Sequence, residues 1–185
     1  MDESKTRWWV LISTTVTVLL IDQISKRVVV DNMLLGESIS VIDPIFRITR
    51  SFNTGAAFGF LPEAGDLFLV IAIVVIIGLF FYYPRLPADA RITRVAMGMV
   101  CGGALGNAFD RIQYEHVVDF IHYRIPGVIS NVSNLADHAI VFGVILIMID
   151  SWLQERRDAQ AAAAQADAAP VDADDSSSEK ETMVS

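Results

Sequence analysis

LFLVIAIVVIIGLFFYY, residues 67–83, contains no charged side chain over 17 consecutive positions. A helix needs roughly 20 apolar residues to cross about 30 Å of hydrocarbon, so this stretch and its flanks predict a membrane span. The composition of the chain supports this interpretation, because 53% of the 185 residues are hydrophobic and the mean hydropathy is +0.46. These values exclude an ordinary soluble domain and indicate a membrane protein.

Three other apolar stretches lie before and after this one. Together the four stretches predict an α-helical membrane protein with four transmembrane helices, over residues 8–28, 67–84, 92–109 and 137–154. The first stretch could alternatively be a cleaved signal peptide, because Lys5 and Arg7 precede it. Retention as a helix is favoured, since IDQISK follows the stretch in place of a small-residue cleavage site.

The third stretch is rich in small residues. Gly98, Gly102 and Gly106 are spaced four apart, so on a helix they form one stripe. Stripes of this kind normally allow two helices to pack closely in a membrane. We therefore predict a tight contact between the third helix and a neighbour.

Residues 27–66, between the first two spans, show a different pattern. SISVI and IFRITRSF place apolar residues at every second position on either side of an Asp-Pro pair. This alternation predicts short strands. We therefore expect a small β-rich periplasmic segment between helices 1 and 2.

The C-terminal region differs in composition from the rest of the chain. Residues 158–185 hold seven acidic residues and one lysine, so they carry −6 of the formal charge of −8. Large apolar residues are scarce there, and a disordered acidic cytoplasmic tail with a helical start in its alanine run is predicted. Residues 1–157 form the predicted membrane domain.

The distribution of Lys and Arg predicts the orientation of the spans. Basic residues are densest at Lys5, Arg7, Arg85, Arg91, Arg94, Arg156 and Arg157. Dense basic residues in short loops and at helix ends mark the cytoplasmic side of a membrane. Both termini are therefore predicted to be cytoplasmic.

Five polar motifs lie at or near the predicted outer membrane boundary. Ionisable groups at membrane depth are costly and usually have a function. The candidate residues are Asp22 and Lys26 in DQISK, Asn53 and Gly55 in FNTGAAFG, Asn107, Asp110 and Arg111 in GNAFDR, Asp119 in VVDFI, and Asn134 and Asp137 in NLAD. We expect these motifs to converge on one face of the membrane, because they flank the outer ends of the spans.

Two of these motifs contain candidate ion-pairing residues. Asp22 and Lys26 are four residues apart and can pair on a helix, whereas Asp110 and Arg111 cannot face each other. All four could be purely structural, because buried ion pairs often fix geometry without reacting.

Asp119 and Asp137 have no cation beside them in the sequence. The apolar neighbours of Asp119 disfavour its ionised form. Two carboxylates in different environments can share one proton and activate a water molecule, as in aspartic proteases. The alternative for Asp137 is a structural N-cap of the last helix, since an Asp before an apolar run is common at that position.

The five motifs, in this order across four apolar stretches, resemble those of the bacterial lipoprotein signal peptidases, or type II signal peptidases. The resemblance covers about residues 8–153. It implies a membrane-embedded aspartic endopeptidase of the bacterial inner membrane with its active site near the periplasmic face. The implied substrate is a prolipoprotein, cut on the N-terminal side of a diacylglyceryl-modified cysteine.

The resemblance also implies roles for individual residues. Asp119 and Asp137 would form the catalytic pair. The substrate-binding or supporting residues would be Asn53, Gly55, Asn107, Asp110, Arg111, Asn134, Asp22 and Lys26. Two positions depart from the family pattern: Ser133 stands where an aromatic residue is usual, and His138 where a small hydroxyl residue is usual.

Other classes of function fit the sequence less well. No metal or other cofactor is expected, because His116, His122 and His138 lack the HExxH spacing and the chain has one cysteine. The expected partners are prolipoproteins and membrane lipid, without nucleic acid. A small transporter or proton-relay protein is the alternative, since intramembrane aspartates also serve relays. A relay would distribute its acids through the membrane depth, whereas these gather at one end.

Overall fold

The computed structural model describes residues 3–55, 65–87 and 89–168. The described part consists of long helices, a short 3-10 helix after the second of them, and one antiparallel sheet. In chain order the elements are α1 (Glu3–Asn32), β1 (Ser38–Ile42), β2 (Phe46–Asn53), α2 (Gly65–Tyr82), the 3-10 helix (Tyr83–Arg85), α3 (Arg91–Tyr114), β3 (Val117–Ile125), β4 (Ile129–Ser133) and α4 (Leu135–Ala168).

Three helical stretches in the described residues are long and apolar enough to cross a membrane, namely Trp8–Asn32, Gly65–Arg85 and Leu135–Gln165. They correspond to the first, second and fourth predicted spans. The predicted count of four is not confirmed, because α3 is not among these stretches. The helix is rich in glycine and alanine and carries charged residues such as Arg94 and Asp110, which lower its hydropathy.

The burial of α3 explains why this helix can have a low hydropathy. More than half of its residues are buried inside the protein, including Ala96, Met97, Val100 and Cys101. In contrast, α2 has no buried residue and carries no charged side chain after Asp66 in its first turn. A helix that is apolar on all sides suits lipid, whereas a helix enclosed by other helices can be less hydrophobic.

The glycine stripe of α3 packs against α1, as the sequence predicts. A Cβ added at Gly102 would lie 2.7 Å from the carbonyl oxygen of Thr15, and one added at Gly106 would lie 2.5 Å from Oδ2 of Asp22. Real Cβ atoms essentially never approach other atoms this closely. Glycine at these positions therefore allows the two helices to touch along their backbones.

The sheet has the strand order β1-β2-β3-β4, and all neighbours are antiparallel. β1 and β2 confirm the strands predicted between the first two spans. Two further strands, β3 and β4, were not predicted and come from the segment between α3 and α4. The first five residues of β3 are all buried. A strand that is buried on both faces lacks the polar alternation by which β1 and β2 were predicted.

The last helix begins earlier and ends later than the sequence suggested. α4 starts at Leu135 and continues to Ala168, which confirms the helical start predicted for the alanine run of the tail. Alanine has the highest helix propensity of all residues, which explains the extension. Among the described residues, those up to Asp150 form one compact unit and those from Ser151 to Ala168 a second. Residues 169–185 of the predicted tail lie outside the described residues.

The contact between α1 and α3 generates a stability prediction. We expect Gly102→Ala to lower the free energy of unfolding by about 1–3 kcal/mol, because the added methyl group overpacks the helix contact. Gly78→Ala is the matched control, since a Cβ at Gly78 in α2 has no atom within 4 Å. Unfolding of both variants in detergent measures the difference. Equal stability of the two variants would contradict the close helix contact.

Candidate active site

The ten polar residues selected from the sequence meet at one end of the helices, where the sheet joins them. α1 and α3 contribute Asp22, Lys26, Asn107, Asp110 and Arg111, and the sheet, the loop after β2 and the start of α4 contribute Asn53, Gly55, Asp119, Asn134 and Asp137. Hydrogen bonds and ion pairs connect all ten. The prediction that these motifs converge is therefore confirmed.

Asp119 lies in β3 and is only 2% exposed. Its Oδ1 accepts a hydrogen bond from Nδ2 of Asn134 at 2.7 Å, and its Oδ2 accepts one from Nδ2 of Asn53 at 2.9 Å. Burial, and secondly the nearby charge of Asp137, raise the pKa of Asp119 from 3.8 to about 7. This confirms the expectation that its surroundings disfavour the ionised form.

Asp137 lies at the third residue of α4 and forms a reciprocal cap with Asn134. The backbone N–H of Asp137 donates to Oδ1 of Asn134 at 3.0 Å, and the backbone N–H of Asn134 donates to Oδ2 of Asp137 at 3.3 Å. This arrangement corresponds to a capping box. Asn134 is therefore the N-cap, and the hypothesis that Asp137 itself occupies that position was wrong because the helix begins three residues earlier.

Asn107 connects the cap to the helix bundle. Its Nδ2 donates to the second carboxylate oxygen, Oδ1, of Asp137 at 2.7 Å. Its Oδ1 accepts hydrogen bonds from Nδ2 of Asn134 at 3.1 Å and from Nζ of Lys26 at 3.0 Å. The Asn134 amide thus reaches both Asp119 and Asn107, and a short chain of amide groups joins the two aspartates.

A buried ion-pair cluster supports this chain. Nζ of Lys26 lies 2.8 Å from Oδ2 of Asp22 and 2.9 Å from Oδ2 of Asp110. The i,i+4 pair predicted from DQISK is confirmed, and Asp110 pairs with Lys26 rather than with its sequence neighbour. The two carboxylates also accept backbone N–H groups, Asp22 from Ala136 at 2.9 Å and Asp110 from Val118 at 3.2 Å.

A cavity of about 390 Å³ lies beside Asp137 and the side-chain amides of Asn53 and Asn107. Its polar lining consists of Asn53, Asn107, Arg111 and Asp137, and its apolar lining includes Phe68, Ile71, Val75, Ala104 and Ile140. One wall is therefore built by α2, the most apolar of the described helices. A cavity with a few polar groups and an apolar wall is typical of a ligand site.

Arg111 is the cationic group of this cavity. Its Nη2 donates to the carbonyl oxygen of Gly55 at 3.4 Å, and its guanidinium lies 5.7 Å from the ring centroid of Phe68. Its Nε is buried and has no hydrogen-bond partner among the described residues. Gly55 in turn donates its N–H to Oδ1 of Asn53 at 3.0 Å. The rest of its motif, residues 56–59, lies outside the described residues.

The two positions that depart from the family pattern both make local contacts. The buried Ser133 donates from Oγ to the carbonyl oxygen of Ile121 at 3.4 Å. Nδ1 of His138 lies 2.7 Å from the carbonyl oxygen of Asn134, and its Nε2 lies 3.2 Å from the hydroxyl of Tyr123. The side chain of His138 therefore links the backbone carbonyl of Asn134, directly before α4, to Tyr123 in β3.

Comparison with known families identifies the chain. The family model described as signal peptidase (SPase) II matches residues 14–153. The chain belongs to the signal peptidase II family. Lipoprotein signal peptidases of Anoxybacillus flavithermus and Bacillus subtilis are each 43% identical to it, over 140 and 132 residues. These alignments cover 76% and 71% of this chain and 83% and 86% of the relatives.

Two solved structures share the fold of this signal peptidase II family member. Both are described as a bacterial membrane enzyme determined by the in meso method, at 2.3 Å and 1.9 Å resolution. The first has a TM-score of 0.72 and covers 80% of this chain and 90% of its own. The second has a TM-score of 0.64 and covers 75% and 90%. Each is 34% identical in sequence.

Gln23 is a site residue that was not selected from the sequence. Its Nε2 donates to Oδ1 of Asp110 at 2.9 Å, to Oδ2 of Asp22 at 3.2 Å and to the carbonyl oxygen of Gly106 at 3.3 Å. Gln23 lies inside DQISK, but the selection of site residues rested mainly on charge, and glutamine is uncharged.

In the described residues, no group of three or more His, Cys, Asp or Glu could hold a metal ion.

The pKa of Asp119 generates a prediction about stability. Between the unfolded value of 3.8 and the folded value of about 7, unfolding releases a proton from this carboxyl group. Its stabilising contribution is therefore complete below about pH 4 and is lost as the pH rises to about 7. We expect the wild type to lose stability relative to Asp119→Asn over this interval.

Thermal unfolding of both proteins in detergent at a series of pH values measures this difference. Asp137→Asn is an internal check. Removing the charge of Asp137 lowers the pKa of Asp119, so the pH interval over which stability is lost becomes narrower. A stability difference between wild type and Asp119→Asn that does not change with pH would contradict the raised pKa.

Proposed function

We propose that the chain is a membrane-embedded aspartic endopeptidase that removes signal peptides from prolipoproteins, with Asp119 and Asp137 as its catalytic residues. Membership of the signal peptidase II family supports the activity. The observation that carries the residue assignment is the amide chain that joins the two aspartates beside the cavity. The transporter alternative is set aside, because the acids gather at one end of the helices and the family is a peptidase family.

The two aspartates act together as an acid and a base. Asp137 lines the cavity and takes a proton from a water molecule, whose oxygen then bonds to the peptide carbonyl carbon. Asp119, whose raised pKa favours its protonated form, donates a proton to the carbonyl oxygen. Collapse of the tetrahedral intermediate breaks the C–N bond. The leaving nitrogen receives the proton held by Asp137, and one hydroxyl proton of the intermediate returns to Asp119, so that a carboxylic acid and an amine are released and both aspartates regain their starting states.

The surrounding polar groups hold the substrate and the dyad. Arg111 is suited to binding a substrate carbonyl, because its buried Nε is an unused donor among the described contacts. Asn53 and Asn134 position Asp119, and Asn107 positions Asp137. Asp22, Lys26 and Asp110 have a supporting role, since they contact the backbone and amides of the site and not the cavity with Asp137.

The apolar wall of the cavity suits a lipid-modified substrate. Phe68, Ile71 and Val75 lie on α2, which exposes apolar side chains along its length. Two acyl chains could lie against this helix while the peptide bond lies beside Asp137. We therefore include cleavage on the N-terminal side of a diacylglyceryl-modified cysteine in the proposed function.

The proposed enzyme crosses a bacterial inner membrane four times, with α3 as the additional span. The 24 residues of α3 extend about 36 Å at 1.5 Å per residue, enough to cross the hydrocarbon. Its burial against α1 and α2 removes the need for an apolar surface. The dense basic residues at both termini and between α2 and α3 support cytoplasmic termini, which leaves the site near the periplasmic face.

Substitution of either aspartate tests the dyad. We expect Asp119→Asn and Asp137→Asn each to lower kcat for cleavage of a diacylglyceryl-modified prolipoprotein by about 10²–10⁴-fold, because general acid–base catalysis contributes this much. Asp31→Asn is the control, since Asp31 is an exposed acid on α1 that pairs only with Arg27 in the described contacts. Folding of every variant is checked by thermal unfolding. A folded dyad variant that cleaves at the wild-type rate would exclude that aspartate from catalysis.

The lipid preference has a separate test. We expect kcat/KM for the same prolipoprotein without its diacylglyceryl group to be lower by at least about tenfold, because burial of the acyl chains contributes to binding. Ile71→Ala should raise KM for the modified substrate, because Ile71 lines the cavity. Ile73→Ala should not, because Ile73 is similarly exposed on the same helix but is not among the residues that line the cavity. Equal cleavage of both substrates would show that the cavity does not recognise the lipid.

A further inference from the structure

A second cavity, of about 280 Å³, lies between the outer end of α1 and the sheet. Its lining includes Arg27, Val30, Arg50, Phe52, Tyr114 and His116, and it shares no lining residue with the proposed active-site cavity. The lining combines cationic groups with apolar and aromatic side chains. Lys26 and Asp110 of the buried ion-pair cluster form part of its inner side.

Arg50 is the distinctive group of this cavity. Its Nη1 donates to the carbonyl oxygens of Val30 at 3.1 Å and Met33 at 2.7 Å, and its guanidinium lies 5.6 Å from the ring centroid of Phe52. Its Nε is buried without a hydrogen-bond partner, and among the described residues no carboxylate forms an ion pair with it.

Unlike Arg50, the Lys and the other Arg that line the cavity both form ion pairs with carboxylates. Lys26 pairs with Asp22 and Asp110, and Arg27 pairs with Asp31 at 2.8 Å. A half-buried guanidinium without a carboxylate partner is costly, because part of its hydration is lost and the two carbonyl oxygens at the end of α1 offer only partial negative charges in return. An anion in the cavity would compensate the charge of Arg50.

We propose that this cavity binds the phosphate group of an anionic phospholipid. The planar guanidinium matches the oxygens of a phosphate, and basic pockets beside transmembrane helices bind lipid headgroups. Arg27 and Val30 lie in the last turns of a helix that is long and apolar enough to cross a membrane. The cavity is therefore at the depth of the headgroups, and its apolar and aromatic lining suits the adjoining glycerol and acyl region.

Occupancy of this cavity would also affect the catalytic site. Arg50 and Asn53 are three residues apart in β2, and Asn53 donates a hydrogen bond to Asp119. Lys26 lines the cavity and donates to Asn107, which in turn binds Asp137. A bound phosphate would thus hold β2 and the ion-pair cluster in place from a cavity separate from that of the substrate.

The test compares lipid nanodiscs of phosphatidylcholine alone with nanodiscs that also contain phosphatidylglycerol. We expect phosphatidylglycerol to raise the Tm of the wild type by at least about 3 °C, and native mass spectrometry to detect retained phosphatidylglycerol. Arg50→Gln should lose both effects. Arg124→Gln, at an exposed arginine of β3, is the matched control and should keep them. Equal responses of the wild type and Arg50→Gln would overturn the proposal.

Two further measurements distinguish a lipid site at this cavity from a folding defect and from a site for free phosphate. Arg27→Gln changes a side chain that is 70% exposed, so it should fold even if Arg50→Gln does not, and its Tm response to phosphatidylglycerol should be smaller than that of the wild type. An unchanged Tm response of folded Arg27→Gln to phosphatidylglycerol would count against the site.

Inorganic phosphate in detergent should not raise the Tm, and a rise equal to that from lipid would overturn the lipid assignment. These readouts do not depend on cleavage, so they remain decisive if the proposed peptidase function fails.

Discussion

Lys26 forms the interaction on which the geometry of the site depends. Its ammonium group contacts two buried carboxylates, Asp22 at 2.8 Å and Asp110 at 2.9 Å, and so joins α1 to α3. Loss of the Lys26 ammonium would leave two buried carboxylates without a cation, and breaking a buried ion pair by removing one partner typically costs about 3–5 kcal/mol. The cluster can form only if the helix backbones approach closely, and the glycines of α3 permit this approach.

The same two carboxylates place the elements that carry the proposed catalytic aspartates. Asp22 accepts the backbone N–H of Ala136, and Asp110 accepts that of Val118. In each case the next residue in the chain is one of the two aspartates. The ion-pair cluster therefore fixes the backbone next to both aspartates, although Asp22, Lys26 and Asp110 do not line the cavity that Asp137 lines. This explains why residues that take no part in the chemistry are needed for it.

Much of the fold and of the candidate site could be predicted from local features of the sequence. Hydropathy indicates α2 without any other information, alternation indicates β1 and β2, and the cost of polar groups at membrane depth selects Asp119 and Asp137. Other features could not be predicted in this way. β3 is buried on both faces over its first half, so it lacks alternation. More than half of the residues of α3 are buried, so this helix can cross a membrane with a low hydropathy.

The sequence by itself determined the family, the apolar helices and the residue types that gather at one end of them. These properties follow from side-chain chemistry and from spacing along the chain. Only the tertiary structure decided that Asn134 caps α4, that one amide chain joins the two aspartates, and that Arg50 lacks an anionic partner in the described part of the chain. The cap depends on where α4 begins. The amide chain and the missing partner of Arg50 depend on distances between residues far apart in sequence, which packing sets and local pattern does not.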